Sequence, residues 1–90
     1  MSEKNLTVEI LTPEGTLYAG AAQAVFLPGL VSPFEVLPGH APIISALSAG
    51  EIRVVGAAGE DGRREEQRFP VRSGVARVRD NRITICAETA

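Results

Sequence analysis

Two side chains of this sequence have the chemistry that catalysis and metal binding commonly use, and each occurs once in the 90 residues. His40 lies in the segment VLPGHAP (residues 36–42), where two prolines and a glycine flank it. Histidine can act as a general base or a metal ligand near neutral pH, and the thiolate of Cys86 could act as a nucleophile. A Cys86–His40 pair would make the protein a small hydrolase, which the sequence alone leaves open.

The companions that such a site requires are missing from the sequence. A zinc site needs about four cysteine or histidine ligands, and no phosphate-binding GxxxxGK[ST] loop is present. Ser45 and Ser48 lack the strand-to-helix context of a nucleophilic serine. Cys86 follows the alternating apolar residues of ITI and precedes Ala87, which predicts a partly buried structural thiol. We therefore expect no catalytic residue, no metal and no cofactor.

Length, charge and cysteine content limit the class of protein. A chain of 90 residues is expected to form a single domain (residues 1–90) with a modest core. The net charge of −2 argues against a nucleic-acid partner, which requires a basic face. One cysteine permits no internal disulfide and fits a reducing compartment. No apolar run is long enough to cross a bilayer, and Met1–Lys4 leads into no signal peptide. We expect a soluble protein without direct membrane insertion.

Most of the basic residues lie in the last third of the chain, where acidic residues alternate with them. The arginines of this segment are Arg63, Arg64, Arg68, Arg72, Arg77, Arg79 and Arg82. One interpretation is a solvated face with salt bridges between neighbouring strands. The other is a binding patch for an acidic partner, and the sequence does not decide between them.

The apolar residues alternate with polar ones over short runs, as in half-buried strands. Leu6, Val8 and Ile10 show this period, as do residues 52–55 and 69–71. Later, Ala76 and Val78 are expected to face the core, with arginines on the other side, and residues 82–85 resume the pattern. Glycine and proline interrupt the runs frequently, and no window supports a long amphipathic helix. The pattern predicts an all-β sandwich or barrel.

Several turns can be predicted from residue types. The Gly-rich segment Gly56–Gly62 lies between two strand patterns and predicts a long hairpin. Ser73-Gly74 predicts a turn, and Asp80-Asn81 predicts a two-residue hairpin loop because asparagine tolerates positive φ. Residues 45–49 could form one helical turn, which we do not favour.

Residues 26–50, FLPGLVSPFEVLPGHAPIISALSAG, strongly resemble the N-terminal β-sandwich domain of the epsilon subunit of F-type ATP synthases. The opening segment LTVEILTPEGTLYAG and the final segment VRSGVARVRDNRITICAETA also match the family, in the same order. The resemblance covers essentially residues 5–90. It implies a small β-sandwich of two antiparallel sheets.

The resemblance also implies a function. Such a subunit is not catalytic; it sits at the foot of the central stalk, packs against the gamma subunit and rests on the membrane c-ring, thereby coupling rotation of the ring to gamma during ATP synthesis. It would lie peripherally at the cytoplasmic face of a bacterial inner membrane. Many members continue into a C-terminal helical hairpin that inhibits hydrolysis and in some binds ATP. This sequence ends at Ala90, so we expect neither that arm nor its nucleotide site. The coupling ion, proton or sodium, is not indicated.

Two sets of contact residues follow from the resemblance. Leu30, Val31, Ser32 and Pro33 match the loop that approaches the c-ring, although Leu30 and Val31 could instead cap the core. Thr12, His40 and Ser45 match positions on or near the side that faces gamma, although Thr12 could instead bond its own turn. Where the family commonly has Gly-x-Phe-Gly, this chain has Ser-Pro-Phe-Glu, and Pro33 should make the loop stiffer.

A function of another class is a free-standing β-domain that binds a ligand or polysaccharide by its own surface. Such a platform requires several exposed aromatic side chains. The chain has only Tyr18, Phe26, Phe34 and Phe69, and most of these fall in apolar runs that a core would claim.

Overall fold

A computed structural model describes residues 5–58 and 60–89 of the chain. Within these residues the fold is all-β, with eight strands and no helix, so the predicted fold class is confirmed. The strands are β1 (Leu6–Thr12), β2 (Gly15–Ala22), β3 (Ala24–Leu27), β4 (Phe34–Val36), β5 (Ile43–Leu47), β6 (Gly50–Ala58), β7 (Arg64–Arg79) and β8 (Arg82–Thr89). The helical turn considered for residues 45–49 is strand and loop instead.

The strands form two layers that share β7, a strand of 16 residues. The C-terminal half of β7 pairs with β5 on one side and β8 on the other, and β1 and β2 continue this sheet beyond β8. We call β5, this half of β7, β8, β1 and β2 the first layer. The N-terminal half of β7 pairs with β6, followed by β3 and β4, which together form the second layer. Every pairing is antiparallel except that of β1 with β8.

Alternation along the strands places the apolar core between the layers. Leu6, Val8 and Ile10 of β1 are buried, whereas Thr7 and Glu9 are exposed. The same alternation holds in β7 and β8, as predicted from the sequence. The buried apolar side chains that pack together are Leu6, Val8, Ile10, Ala22, Val25, Leu27, Val36, Leu47, Ile52, Val54, Val71, Ala76, Val78, Ile83, Ile85 and Ala87. Burying a side chain of valine or isoleucine size contributes roughly 1.5–3 kcal/mol, so this alternation sets the register of the sheets.

The hairpin predictions are confirmed at two positions. Asp80 and Asn81 join β7 to β8 with φ values of 52° and 61°, the left-handed conformation that a two-residue hairpin loop requires. β6 and β7 pair as a long hairpin, but β6 extends to Ala58, so only the later part of the predicted Gly56–Gly62 loop lies between the strands. Gly59 of that segment lies outside the described residues, as do Met1–Lys4 and Ala90.

The predicted turn at Ser73-Gly74 is wrong, because β7 continues through it. The register of β7 against β8 shifts between Val71 and Ser73, so the segment contains an irregularity of the kind that a β-bulge produces. A Cβ atom on Gly74 would lie 2.8 Å from the backbone oxygen of Cys86. Glycine is therefore needed here for the close approach of β8, and not for a change in chain direction.

Candidate functional site

The outer face of the first layer carries a row of apolar side chains. Ala46, Val75, Cys86 and Leu11 come from β5, β7, β8 and β1, and each is in register with the next. Registered residues of neighbouring strands point to the same face, so these four residues, which we call the apolar row, lie side by side. Val75 is 49% exposed, whereas the next residue of β7, Ala76, is buried in the core. A face in contact only with water would have polar residues at these positions.

An open groove lies beside one end of the apolar row. Its lining includes Leu11, Val75 and Cys86, together with Thr12 and Pro13 at the end of β1. Most of this lining is apolar, and the groove is shallow. The apolar row and groove together form a surface suited to packing against another protein, since exposed apolar areas on small soluble domains commonly mark interaction sites.

The prediction of a partly buried thiol at Cys86 is wrong. Cys86 is exposed because it occupies the outward phase of β8, between the inward-facing Ile85 and Ala87. It also lies far from His40, which follows the turn at the other end of the layer. Arg82 marks that end of β8, and the four residues from Arg82 to Cys86 span about 13 Å of strand. The structure therefore does not bring together a Cys86–His40 pair.

His40 follows a tight turn at the corner that leads into β5. Its backbone N–H donates to the carbonyl of Leu37 at 3.1 Å, and Gly39 has a φ of 90°. The His40 Nδ1 lies 2.7 Å from the carbonyl oxygen of Ala41, which requires that this nitrogen carry the proton. The Gly39 N–H donates to Asn81 Oδ1 at 2.7 Å. This bond ties the corner to the β7–β8 hairpin.

The other two residues predicted to contact gamma lie elsewhere. Thr12 Oγ1 donates to the carbonyl of Gly15 at 2.9 Å. Thr12 therefore bonds its own turn, which was the alternative to a gamma contact in the sequence analysis. Ser45 is in register with the buried Ala76 and is half-buried on the inward side of β5. Thr12 and His40 thus occupy opposite corners of the first layer, and Ser45 lies on its β5 edge. The three residues do not form a single cluster.

The loop between β3 and β4 presents the predicted c-ring residues to solvent. Leu30 is 66% exposed and Val31 is 99% exposed, so the alternative that they cap the core is wrong. Ser32 and Pro33 are exposed as well. Two adjacent apolar side chains that are largely exposed at a loop tip are unusual for a surface without a partner.

Backbone contacts on both sides hold this loop in place. The Leu30 N–H donates to the carbonyl of Ala46 at 2.9 Å, and the Ser48 N–H donates to the carbonyl of Pro28 at 2.8 Å. Gly29 is buried at the base of the loop, where a Cβ atom would clash with the Ser32 carbonyl oxygen and lie 2.9 Å from the Phe34 ring. Since Leu30 is bonded to Ala46, the loop lies next to the β5 end of the apolar row.

The outer face of the second layer carries a group of paired charges. Arg53 Nε lies 3.0 Å from the Glu66 carboxylate, and Arg68 lies 3.1 Å from the same group. The Arg53 guanidinium also stacks over Phe26, with its carbon 4.3 Å from the ring centroid. Here the interpretation of the charged segment as a salt-bridged, solvated face is supported. The two outer faces therefore differ, since the registered residues on the second layer, Arg68, Arg53, Phe26 and Glu35, are mostly charged.

The aromatic residues do not form an exposed platform. Tyr18, Phe34 and Phe69 pack partly buried against the core, and Arg53 covers Phe26. The rings of Tyr18 and Phe69 lie 5.9 Å apart, and the Tyr18 hydroxyl donates to the carbonyl of Ala21. This arrangement disfavours a polysaccharide-binding face, which requires free aromatic surfaces.

Two further features are absent from residues 5–58 and 60–89. These residues contain no group of three or more histidine, cysteine or carboxylate side chains that could hold a metal ion. Among the same residues, no helix has the length and apolar character to cross a membrane.

Sequence reasoning missed the apolar row, although a signal for it is present. The run Ile85-Cys86-Ala87 and the run Val75-Ala76 each place apolar residues at consecutive positions of a strand. In a strand with one face in water, every second residue should be polar, so two consecutive apolar residues are unexpected. Consecutive apolar residues within an otherwise alternating strand therefore indicate that both faces are covered.

Comparison with known proteins gives consistent matches. The family model described as "ATP synthase, Delta/Epsilon chain, beta-sandwich domain" matches residues 5–90. The ATP synthase epsilon chain of Chlorobaculum tepidum is 33% identical over 87 residues, covering 97% of this chain and 93% of the relative. The epsilon chains of Bordetella petrii and Synechococcus elongatus are 34% and 35% identical, covering 94% and 96% of this chain. The chain spans only 57% and 58% of these two relatives.

Two solved structures contain a similar fold. One is a chain of the Euglena gracilis mitochondrial ATP synthase, in an OSCP/F1/c-ring assembly, with a TM-score of 0.82 and 17% identity. The match covers 97% of this chain and 52% of that chain. The other belongs to the central stalk and c-ring of the Tetrahymena thermophila mitochondrial ATP synthase, with a TM-score of 0.70 and 14% identity. It covers 98% of this chain and 66% of that chain.

The bond between Gly39 and Asn81 gives a prediction for the His40 corner. Asn81→Gly keeps the positive φ but removes the acceptor, so the free energy of unfolding should fall by about 1 kcal/mol. Asn81→Ala should cost roughly 1–2 kcal/mol more, since alanine disfavours the left-handed conformation. Asn81→Asp retains an acceptor, tolerates this conformation and serves as the control. Urea unfolding measures all three, and a glycine variant as stable as the wild type would show that the bond contributes nothing.

Proposed function

The chain belongs to the delta/epsilon family of ATP synthase β-sandwich domains, and on this premise we propose that it is a non-catalytic subunit of the central stalk. In this role it couples rotation of the c-ring to the gamma subunit while an ion gradient drives ATP synthesis. The observation that carries the proposal is the pair of exposed apolar surfaces, one on the outer face of the first layer and one at the β3–β4 loop. A coupling subunit needs two separate contacts, one for each element that it connects.

The gamma subunit is proposed to cover the outer face of the first layer. The apolar row and its groove supply the apolar centre that a stable protein interface requires. Thr12 and His40 lie at opposite corners of this face, and Ser45 lies on the β5 edge, so one partner extending across the face would reach all three. Ser45 would make its contact at that edge, because its side chain is on the inward side of β5.

The c-ring is proposed to contact the β3–β4 loop. Leu30 and Val31 would pack against the ring, with Ser32 and Pro33 completing the contact surface. The hydrogen bond from Leu30 to Ala46 and the restricted φ of Pro33 favour one loop shape. A loop fixed in this way transmits force with less deformation than a glycine-rich loop of free shape. The Ser-Pro sequence that departs from the family pattern is therefore compatible with ring contact.

The body that carries both contacts is suited to transmitting torque. β7 belongs to both layers, so a force on one layer is transmitted through continuous chain and hydrogen bonds to the other. Close-packed interiors have low compressibility, and the core of this sandwich is close-packed aliphatic side chains. In the assembled synthase, the protein would lie peripherally at the cytoplasmic face of a bacterial inner membrane. Either protons or sodium ions could drive such a complex.

Binding to gamma gives the first functional prediction. Val75→Asp places a charge in the centre of the apolar row, which should weaken binding to the cognate gamma subunit by at least about tenfold. Val55→Asp makes the same change on the outer face of the second layer and should leave the affinity unchanged. The dissociation constant measures the effect, after thermal unfolding has verified that both variants fold. Equal affinities for the two variants would place the gamma contact elsewhere.

Coupling through the loop gives the second functional prediction. Val31→Asp should leave stability unchanged, because the side chain is almost fully exposed. In the reconstituted synthase, the same variant should reduce ion pumping per ATP hydrolysed, because a carboxylate replaces an apolar ring contact. Val55→Asp on β6 is the control, since it adds the same charge at the same residue type but lies in the second layer, away from the loop and from the face proposed for gamma. Normal coupling in the Val31 variant would argue against ring contact by this loop.

A further inference from the structure

Three arginines form a cluster on the same outer face as the apolar row. Arg79 and Arg82 are directly opposite each other across the β7–β8 pair, and Arg77 lies two residues from Arg79 on the same side of β7. We call Arg77, Arg79 and Arg82 the arginine cluster. All three are exposed and surround a shallow depression with Asp80 and Thr84. The cluster lies at the hairpin end of the layer, away from the groove.

The cluster is not neutralised by nearby carboxylates. Arg79 lies 3.5 Å from Asp80, but both side chains are largely exposed, and such a pair contributes little. Arg77 and Arg82 form no ion pair with any of residues 5–58 or 60–89. Glu9 lies in the same cross-strand row as Arg77, but Thr84 separates them, a distance of about 10 Å across two strand spacings.

The arrangement is unfavourable in the isolated chain. Like charges directly opposite each other on neighbouring strands destabilise the pair, and Arg79 and Arg82 are in that position. Two other arginines of β7 have carboxylate partners: Arg68 lies 3.1 Å from Glu66, and Arg72 lies 3.2 Å from Glu88. A carboxylate supplied from outside would relieve the repulsion between Arg79 and Arg82 while pairing with both.

An apolar side chain borders the cluster. Ile44 is 75% exposed and is in register with Arg77, and Pro42 precedes it at the edge of β5. Arginine beside exposed apolar residues is the composition enriched at protein interfaces. The planar guanidinium also binds carboxylates through two parallel hydrogen bonds, which a single ammonium group does not match.

We propose that the arginine cluster binds an acidic segment of the same partner that covers the apolar row. This inference depends on the proposed function, in which that partner is the gamma subunit, and adds the chemistry of the contact. The partner surface would present apolar residues opposite Val75 and Cys86, and at least two carboxylates opposite Arg77, Arg79 and Arg82. A lipid surface fits this face less well, because its phosphates would lie against the apolar row as well as the arginines.

The test compares two variants with the same change in net charge. Replacing Arg77, Arg79 and Arg82 by glutamate changes the net charge by −6, from −2 to −8. The control replaces Arg63, Arg64 and Arg68 by glutamate, with the same arithmetic, on residues outside the first layer. Circular dichroism and thermal unfolding verify that both variants fold. Binding to the cognate gamma subunit is then measured at low and high salt.

The cluster variant should bind gamma at least about tenfold more weakly at low salt, mainly through slower association. Wild-type affinity should fall as salt increases, because screening weakens the contact, and the variant should show a smaller salt dependence. The control should retain most of the wild-type affinity. Equal weakening of both variants would indicate a general charge effect and would overturn the inference.

The outcomes also separate this inference from the proposed function. If gamma binding is lost on Val75→Asp but unaffected in the cluster variant, the inference is wrong while the proposed function stands. If the wild-type chain does not bind gamma at all, both fail. A further measurement is binding of the chain to vesicles of phosphatidylcholine with and without phosphatidylglycerol. Cluster-dependent binding to the anionic vesicles, with gamma binding unchanged, would assign the arginines to a lipid headgroup and overturn the proposal.

Discussion

The pairing of β7 with three other strands is the constraint on which the rest of the structure depends. Its C-terminal half lies between β5 and β8, and its N-terminal half pairs with β6, so this one strand joins the two layers. Gly74 permits the close approach of β8 where the register shifts. With β7 fixed, strand alternation directs Ala76 and Val78 into the core and leaves the intervening residues outside. The functional surfaces follow from which side chains occupy those outward positions.

The two outer faces have different physical characters, and the difference suggests how the molecule works. On the second layer, Arg53 and Arg68 both lie within ion-pair distance of Glu66, so the charges of this face are partly matched within it. On the first layer, apolar residues lie at one end, and three arginines with a single exposed ion pair lie at the other. The β3–β4 loop is bonded to β5, beside that apolar end. A rigid body with two adjacent docking surfaces and one solvated face is the form expected of a connecting subunit.

Much of the fold could be predicted from the sequence because it depends on local chemistry. Alternation in β1, β7 and β8 and the positive φ at Asn81 are properties of neighbouring residues. The sequence predictions were wrong where contacts between strands distant in sequence determine the local structure. Ser73-Gly74 has the composition of a turn, but its glycine accommodates β8. Cys86 is exposed because its neighbours along β8, Ile85 and Ala87, point into the core. The apolar row could not be assembled without the registers of four strands, and the positions of Thr12 and His40 at opposite corners required the complete topology.

The central claim is that the outer face of the first layer is covered by the gamma subunit, and Cys86 provides a direct test. It is the only cysteine of the chain, it is exposed, and it lies in the apolar row. The rate of maleimide labelling should be measured for the chain alone and for the chain in a purified complex with gamma. The account predicts rapid labelling of the free chain and strong protection in the complex. Equal labelling rates in both states, with the complex verified as intact, would contradict it.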